Sequence, residues 1–221
     1  MSDAAKQAGE IFNLTEPVVM SFPNLFEARA FGPKGKESGE PKFSANFIFK
    51  PDSADLAAMK QMAAKVARAR WPNRDLKELK FPFSSGDKIN QRRVSKGKKA
   101  DESAAGMVVL AGRSKYEPRL AIIEPGRGVV DLEGPARDAN KGKFYAGVEV
   151  LAQFNFVAYD GVGANPDGVT AYLNMILSTG KGKKIAGGAS AAEVFKGYAG
   201  HATTEDPTGG AQELVDDEIP F

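Results

Sequence analysis

Hydrophobic and polar positions change period several times along this chain, and each change marks an element. Val18 to Phe31 reads as a strand interrupted at Pro23-Asn24, so a bulge or break is expected there. Gly32 to Pro41 is a polar turn, and Lys42 to Lys50 then alternates, with Phe43, Ala45, Phe47 and Phe49 on one face. These two strands form the first hairpin. Pro51-Asp52-Ser53 opens a helix with Asp52 or Ser53 as N-cap, and Leu56, Met59, Ala63, Val66 and Ala67 make its apolar stripe. Pro72 ends it near Trp71, because proline disfavours helical geometry in the residue before it.

Further on, Met107 to Gly112 reads as a buried strand, and Leu120 to Ile123 as another strand or its continuation. Turns are expected at Gly126 to Gly128, Gly134-Pro135 and Asn140 to Lys143. Phe144 to Tyr159 alternates as one long strand, with a bulge expected near Leu151, and Val169 to Ser178 is the last long strand. Residues 1 to 15 read as a loose lead-in, Lys88 to Lys99 as a mobile loop, and Ala189 to Tyr198 as a short closing helix. The pattern predicts a mainly β protein with one sizeable helix, either a small antiparallel barrel with long inserted loops or a sandwich. Strands and helices do not alternate, which argues against a doubly wound sheet.

Composition supports this and removes several chemistries. Among 221 residues, 14 Phe against one Trp, with 24 Gly, favours strands and turns over a helical bundle. There is no Cys, and the one histidine is His201, which argues against thiolate chemistry, a Ser-His-Asp triad and a multi-histidine zinc site. Thr179-Gly180-Lys181-Gly182 lacks the earlier glycine of a phosphate loop and the Ser or Thr after its lysine. The expectation is a non-enzymatic protein without a cofactor or metal, cytoplasmic and without a membrane partner.

Charge divides the chain in two. Six of the 28 acids lie after residue 200, where there is no Lys or Arg, so the first 200 residues carry 30 basic against 22 acidic side chains. A basic body suggests a polyanion partner. Lys88 to Lys99 holds six cations and no acid, including Arg92, Arg93, Lys96, Lys98 and Lys99, and suits a phosphate-tracking arm. Arg113, Lys115, Tyr116 and Arg119 interleave cations with an aromatic ring, and Lys141, Lys143 and Tyr145 do so again. Single-stranded nucleic acid needs this combination of cations along the backbone and rings for the bases. Residues 1–199 would form the binding domain. Residues 200–221 would be a disordered acidic tail whose tip, Asp216, Asp217, Glu218, Ile219, Pro220 and Phe221, is built as a ligand for a partner's pocket.

That tip resembles the acidic end of bacterial single-stranded-DNA-binding proteins, which finishes in Ile-Pro-Phe. The longer body, with its helix from Ser53 to Trp71 and its basic run, resembles the phage replication proteins related to the T7 single-stranded-DNA-binding protein. The resemblance implies an OB-fold-like barrel that coats exposed strands in the host cytoplasm during phage replication, recombination or repair. It also implies recruitment of replication or recombination proteins through the tail. A strand-annealing recombination protein and a structural or chaperone-like phage protein are the alternatives, and a homo-oligomer is left open.

Overall fold

In order, the chain forms β1 (Glu10–Asn13), β2 (Val18–Phe31), β3 (Ser38–Phe49), α1 (Ala54–Arg70), β4 (Phe83–Ser85), α2 (Gly86–Val94), β5 (Val108–Ser114), β6 (Arg119–Glu124), β7 (Gly128–Leu132), α3 (Gly134–Ala139), β8 (Glu149–Tyr159) and β9 (Gly168–Ser178). The structure is a computed structural model that describes residues 9–31, 38–163 and 165–185. The helix expected over Ala189 to Tyr198 and the acidic tail lie outside the described residues.

Five strands close into a barrel. β2 pairs antiparallel with β3, β3 with β5, β8 with β9 and β2 with β8, while β5 and β9 run parallel. This is the OB-fold-like barrel expected above. β6 continues the course of β5, since both run parallel to β9, through Gly112↔Ala171 and Arg119↔Met175. β7 returns from it as a hairpin strand at the edge of the sheet.

Period-two alternation fills the barrel. Phe47, Leu110, Phe154, Phe156, Leu173 and Ile176 are buried, with the Phe47 and Phe154 rings edge to face at 4.8 Å. Gly112 sits where a Cβ would come within 2.9 Å of the Phe47 ring, so the tight centre needs a glycine. The whole predicted stripe of α1 is buried and packs on β8 and β9. Ser53 is its N-cap, accepting from the Leu56 N–H, a contribution of about 1 kcal/mol, and Trp71 is its C-cap.

Four expectations need correction. Residues 88 to 94 of the expected basic loop belong to the helix α2: Asp87 at its start and Arg92 and Arg93 in its last turn complement the helix dipole, and Ile89 packs on Ile48 and Val109. The lead-in is not loose throughout, because β1 pairs with β8 and the Asp55 carboxylate accepts from the Thr15 N–H and hydroxyl. The expected turn at Gly134-Pro135 opens α3, with Pro135 in the first turn, where its missing N–H costs nothing. The long strand starts at Glu149, not Phe144, and alternates without a break. The bulge lies instead on β9, where Gln153↔Met175 is followed by Phe154↔Leu173 and leaves Asn174 over.

Candidate nucleic-acid interface

Because Ala45, Phe47, Leu110 and Gly112 point into the barrel, their neighbours Ser44, Asn46, Ala111 and Arg113 lie on its outer face, where Ser44 itself is buried. On β9, Tyr172 faces out between the buried Ala171 and Leu173. Strand pairing sets these side chains in a row across the barrel: Asn24↔Ser44, Ser44↔Arg113, Arg113↔Tyr172 and Tyr172↔Asn155. The Asn24 amide donates to the Ser44 hydroxyl at 3.3 Å. Three strand steps separate Asn24 from Tyr172, about 14 Å at the usual spacing.

Phe22 stands at one end of the row. Ser21 pairs with Asn46 and Asn24 with Ser44, so β2 carries one residue more than β3 between those pairs. At this bulge Phe22 takes a φ of 48°, the one positive φ at a non-glycine among the described residues, and the residue is 45% exposed. A side chain in that conformation costs about 1–2 kcal/mol. Such strain concentrates at binding sites. The Arg93 guanidinium lies 5.1 Å from the ring centroid, and its Nε donates to the Lys99 carbonyl at 2.9 Å. Arg93, Lys99, Lys183 and Lys184 line the pocket of about 510 Å³ beside Phe22. Gly147, at φ 105°, lets the 183–185 segment approach: a Cβ there would meet the Lys183 carbonyl at 1.9 Å.

At the other end are Arg113, Lys115, Tyr116, Tyr159 and Tyr172. Tyr116 is 83% exposed. Lys115 pairs with Glu40 at 2.6 Å, which raises its pKa first by hydrogen bonding and then by charge. Burial raises the Tyr159 phenol, against the opposing effect of Arg113. The turn between β8 and β9 is tied down by Asp167, which accepts from the Gly161 N–H at 2.5 Å and from Arg74. Those two bonds, Gly161 first, hold its carboxyl below the usual carboxylate range.

The row thus offers a ring and cations at each end, with Asn24 and Ser44 between them. Residues 13–207 match a family model described as Enterobacter phage Enc34, ssDNA-binding protein. The chain belongs to this family. Among solved structures it is similar to the single-stranded DNA-binding protein from bacteriophage Enc34 in complex with ssDNA, with 17% identity, TM-score 0.60, and coverage of 81% of this chain and 94% of that one. A second structure of the Enc34 protein gives 16% identity and TM-score 0.58, over 84% and 92% of the two chains. The gp2.5 single-stranded DNA binding protein of bacteriophage T7 gives 11% identity and TM-score 0.44, over 93% and 100%. None of the curated proteins matches the sequence. At these identities the Enc34 structures speak for the fold, and they support the barrel.

On this Enc34-family barrel the residues singled out by sequence fall into separate groups. Arg93 and Lys99 line the pocket beside Phe22, with Arg92, Lys96 and Lys98 exposed nearby in sequence on the same helix end and turn. Arg113, Lys115 and Tyr116 lie at the far end of the row. Arg119 instead pairs with Asp131 at 2.8 Å on the β6–β7 hairpin. Lys141 lies 5.2 Å from the Phe26 ring centroid, which Arg137 also approaches. The Lys143 carbonyl accepts from Ser178, and the Tyr145 hydroxyl donates to the Gly182 carbonyl, with Lys184 5.6 Å from the centroid of its ring. Sequence reasoning missed Phe22, Tyr172, Lys183 and Lys184. Pro23 signalled the bulge but not the direction of the ring, and Tyr172 showed only as the polar position of an apolar strand. The tip residues Asp216 to Phe221 lie outside the described residues, and among those described no group of three or more His, Asp or Glu is placed to hold a metal.

Proposed function

We propose that this chain binds single-stranded DNA across the outward row from Phe22 to Tyr172, without strict sequence specificity. It would coat strands exposed during phage replication, recombination or repair in the host cytoplasm. The observation that carries the reading is the strained, outward Phe22 ring with Arg93 against it, at the head of a row that ends in Arg113 and Tyr172. Bases stack on exposed rings for about 1–3 kcal/mol each whatever their identity, and cations follow the phosphates. Duplex DNA keeps its bases inside and cannot use the rings. Arg92, Lys96, Lys98, Lys99, Lys115 and Tyr116 extend the surface at its two ends.

The acidic tip from Asp216 to Phe221 completes the proposal as a ligand for replication or recombination proteins, supported by its charge and the apolar Ile219-Pro220-Phe221 beside it. Binding of labelled oligo-dT and of a duplex of equal length, each over a salt series, tests the DNA reading. Tighter binding of oligo-dT is expected, with log affinity falling with log salt more steeply than about −2, as several phosphate contacts require. Tighter binding of duplex, or a flat salt dependence, overturns it.

A further inference from the structure

The pocket beside Phe22 holds more chemistry than a sequence-blind strand coat requires. Its volume of about 510 Å³ lies in the range of small-ligand sites. Four cations line it, Arg93, Lys99, Lys183 and Lys184, yet Glu102 does so as well. The neighbouring Asp101 is occupied: it is buried, and its Oδ1 accepts from the Ser103 N–H and hydroxyl at 3.1 and 2.5 Å. The Glu102 side chain is exposed and makes no hydrogen bond or ion pair among the described residues.

A carboxylate in a phosphate-binding pocket repels the backbone, so its presence there favours a different part of the nucleotide. The edge of a base with N–H donors fits it. Cytosine, adenine and guanine each carry an exocyclic amine, which a carboxylate accepts from directly, as Glu and Asp do from cytosine N4. Thymine has no amine, and its one ring N–H lies between two carbonyls that a carboxylate repels. Single strands leave these edges free to be read, and a ring such as Phe22 holds the base while they are.

We propose that this pocket takes one base out of the strand, stacks it on Phe22, and through Glu102 prefers a base bearing an exocyclic amine. The phosphates on either side meet Arg93, Lys99, Lys183 and Lys184. This rests on the single-strand reading above and adds a base preference to it. The preference acts at one position per binding site, so binding remains tolerant of sequence overall.

The test is fluorescence anisotropy with the full chain and oligo-dT or oligo-dC of equal length, at pH 7.5 and one salt concentration, for wild type and Glu102→Gln. The wild type is expected to bind oligo-dC about tenfold tighter, the effect of one hydrogen bond to a charged group. In Glu102→Gln, where the amide both donates and accepts, the two affinities should come within about twofold, mainly because oligo-dT binds better. Circular dichroism checks that this exposed substitution leaves the fold intact. Equal affinities in the wild type, or a preference unchanged in Glu102→Gln, overturn the proposal. Failure of the wild type to bind either oligonucleotide overturns the single-strand reading itself.

Discussion

The guanidinium carbon of Arg93 lies 5.1 Å from the centroid of the Phe22 ring, joining the last turn of α2 to the bulge of β2. The contact holds a cation and an aromatic face together where the barrel's outward row begins. Phe22 keeps a backbone conformation that most side chains avoid, so its ring is placed outside at a cost to stability.

That cost separates binding from folding. In Phe22→Gly the positive φ is no longer strained, because glycine has no Cβ to clash. The thermal midpoint should be at least that of the wild type, while oligo-dT affinity falls about tenfold, in keeping with a stacking loss of about 1–3 kcal/mol. Calorimetry and anisotropy on the same preparation check both. A lower midpoint would make the ring a packing element.

Cations that touch phosphate should register in the salt dependence. Replacing Lys99, Lys183 and Lys184 together by Ala is expected to make the log–log slope shallower by about 0.7 for each phosphate no longer neutralised. Lys141→Ala should leave it unchanged, since Lys141 lies against Phe26 beside Arg137.

Tyr116 is 83% exposed, so Tyr116→Ala should not change the melting temperature. With Arg113 and Lys115 intact, it should weaken oligo-dT binding at every salt concentration, because stacking is not screened as ion contacts are. Equal affinities for the two proteins would place the strand elsewhere at that end.

Asp167 gives the turn between β8 and β9 a defined acid response. Its folded carboxyl titrates below the ordinary value of 3.8, first through the Gly161 N–H and then through Arg74. A depressed carboxyl stabilises the fold fully above its unfolded value, and loses that contribution as pH falls through the folded one. Asp167→Asn should therefore melt below the wild type at neutral pH, with a difference that shrinks as pH drops below about 3.8. A difference that stays constant with pH would assign the effect to packing.

The sequence carried most of the barrel because alternation is a local signal. Phe43 to Phe49 and Ala152 to Ala158 each show their inward face in a few residues, and α1 shows both its stripe and its cap. Closure was not local. The pairing of Val18 with Val150, or of Arg113 with Tyr172, joins positions far apart in sequence. The row inherits that difficulty, since each member looks ordinary on its own strand. Arg113 and Tyr116 could be singled out because cation and ring are neighbours in sequence, whereas Phe22 and Arg93 meet only in the fold. α2 escaped notice because its burial rests largely on Ile89, and Gly and Ser follow it closely.

One strand of DNA is expected to lie on the row between Phe22 and Tyr172. The affinity of the double variant Phe22→Ala/Tyr172→Ala for oligo-dT tests it most directly, beside the wild type at the same salt and with circular dichroism to confirm the fold. Loss of a stacked base at each end predicts a fall of about 30-fold or more. A folded double variant that binds within about twofold of the wild type would contradict it.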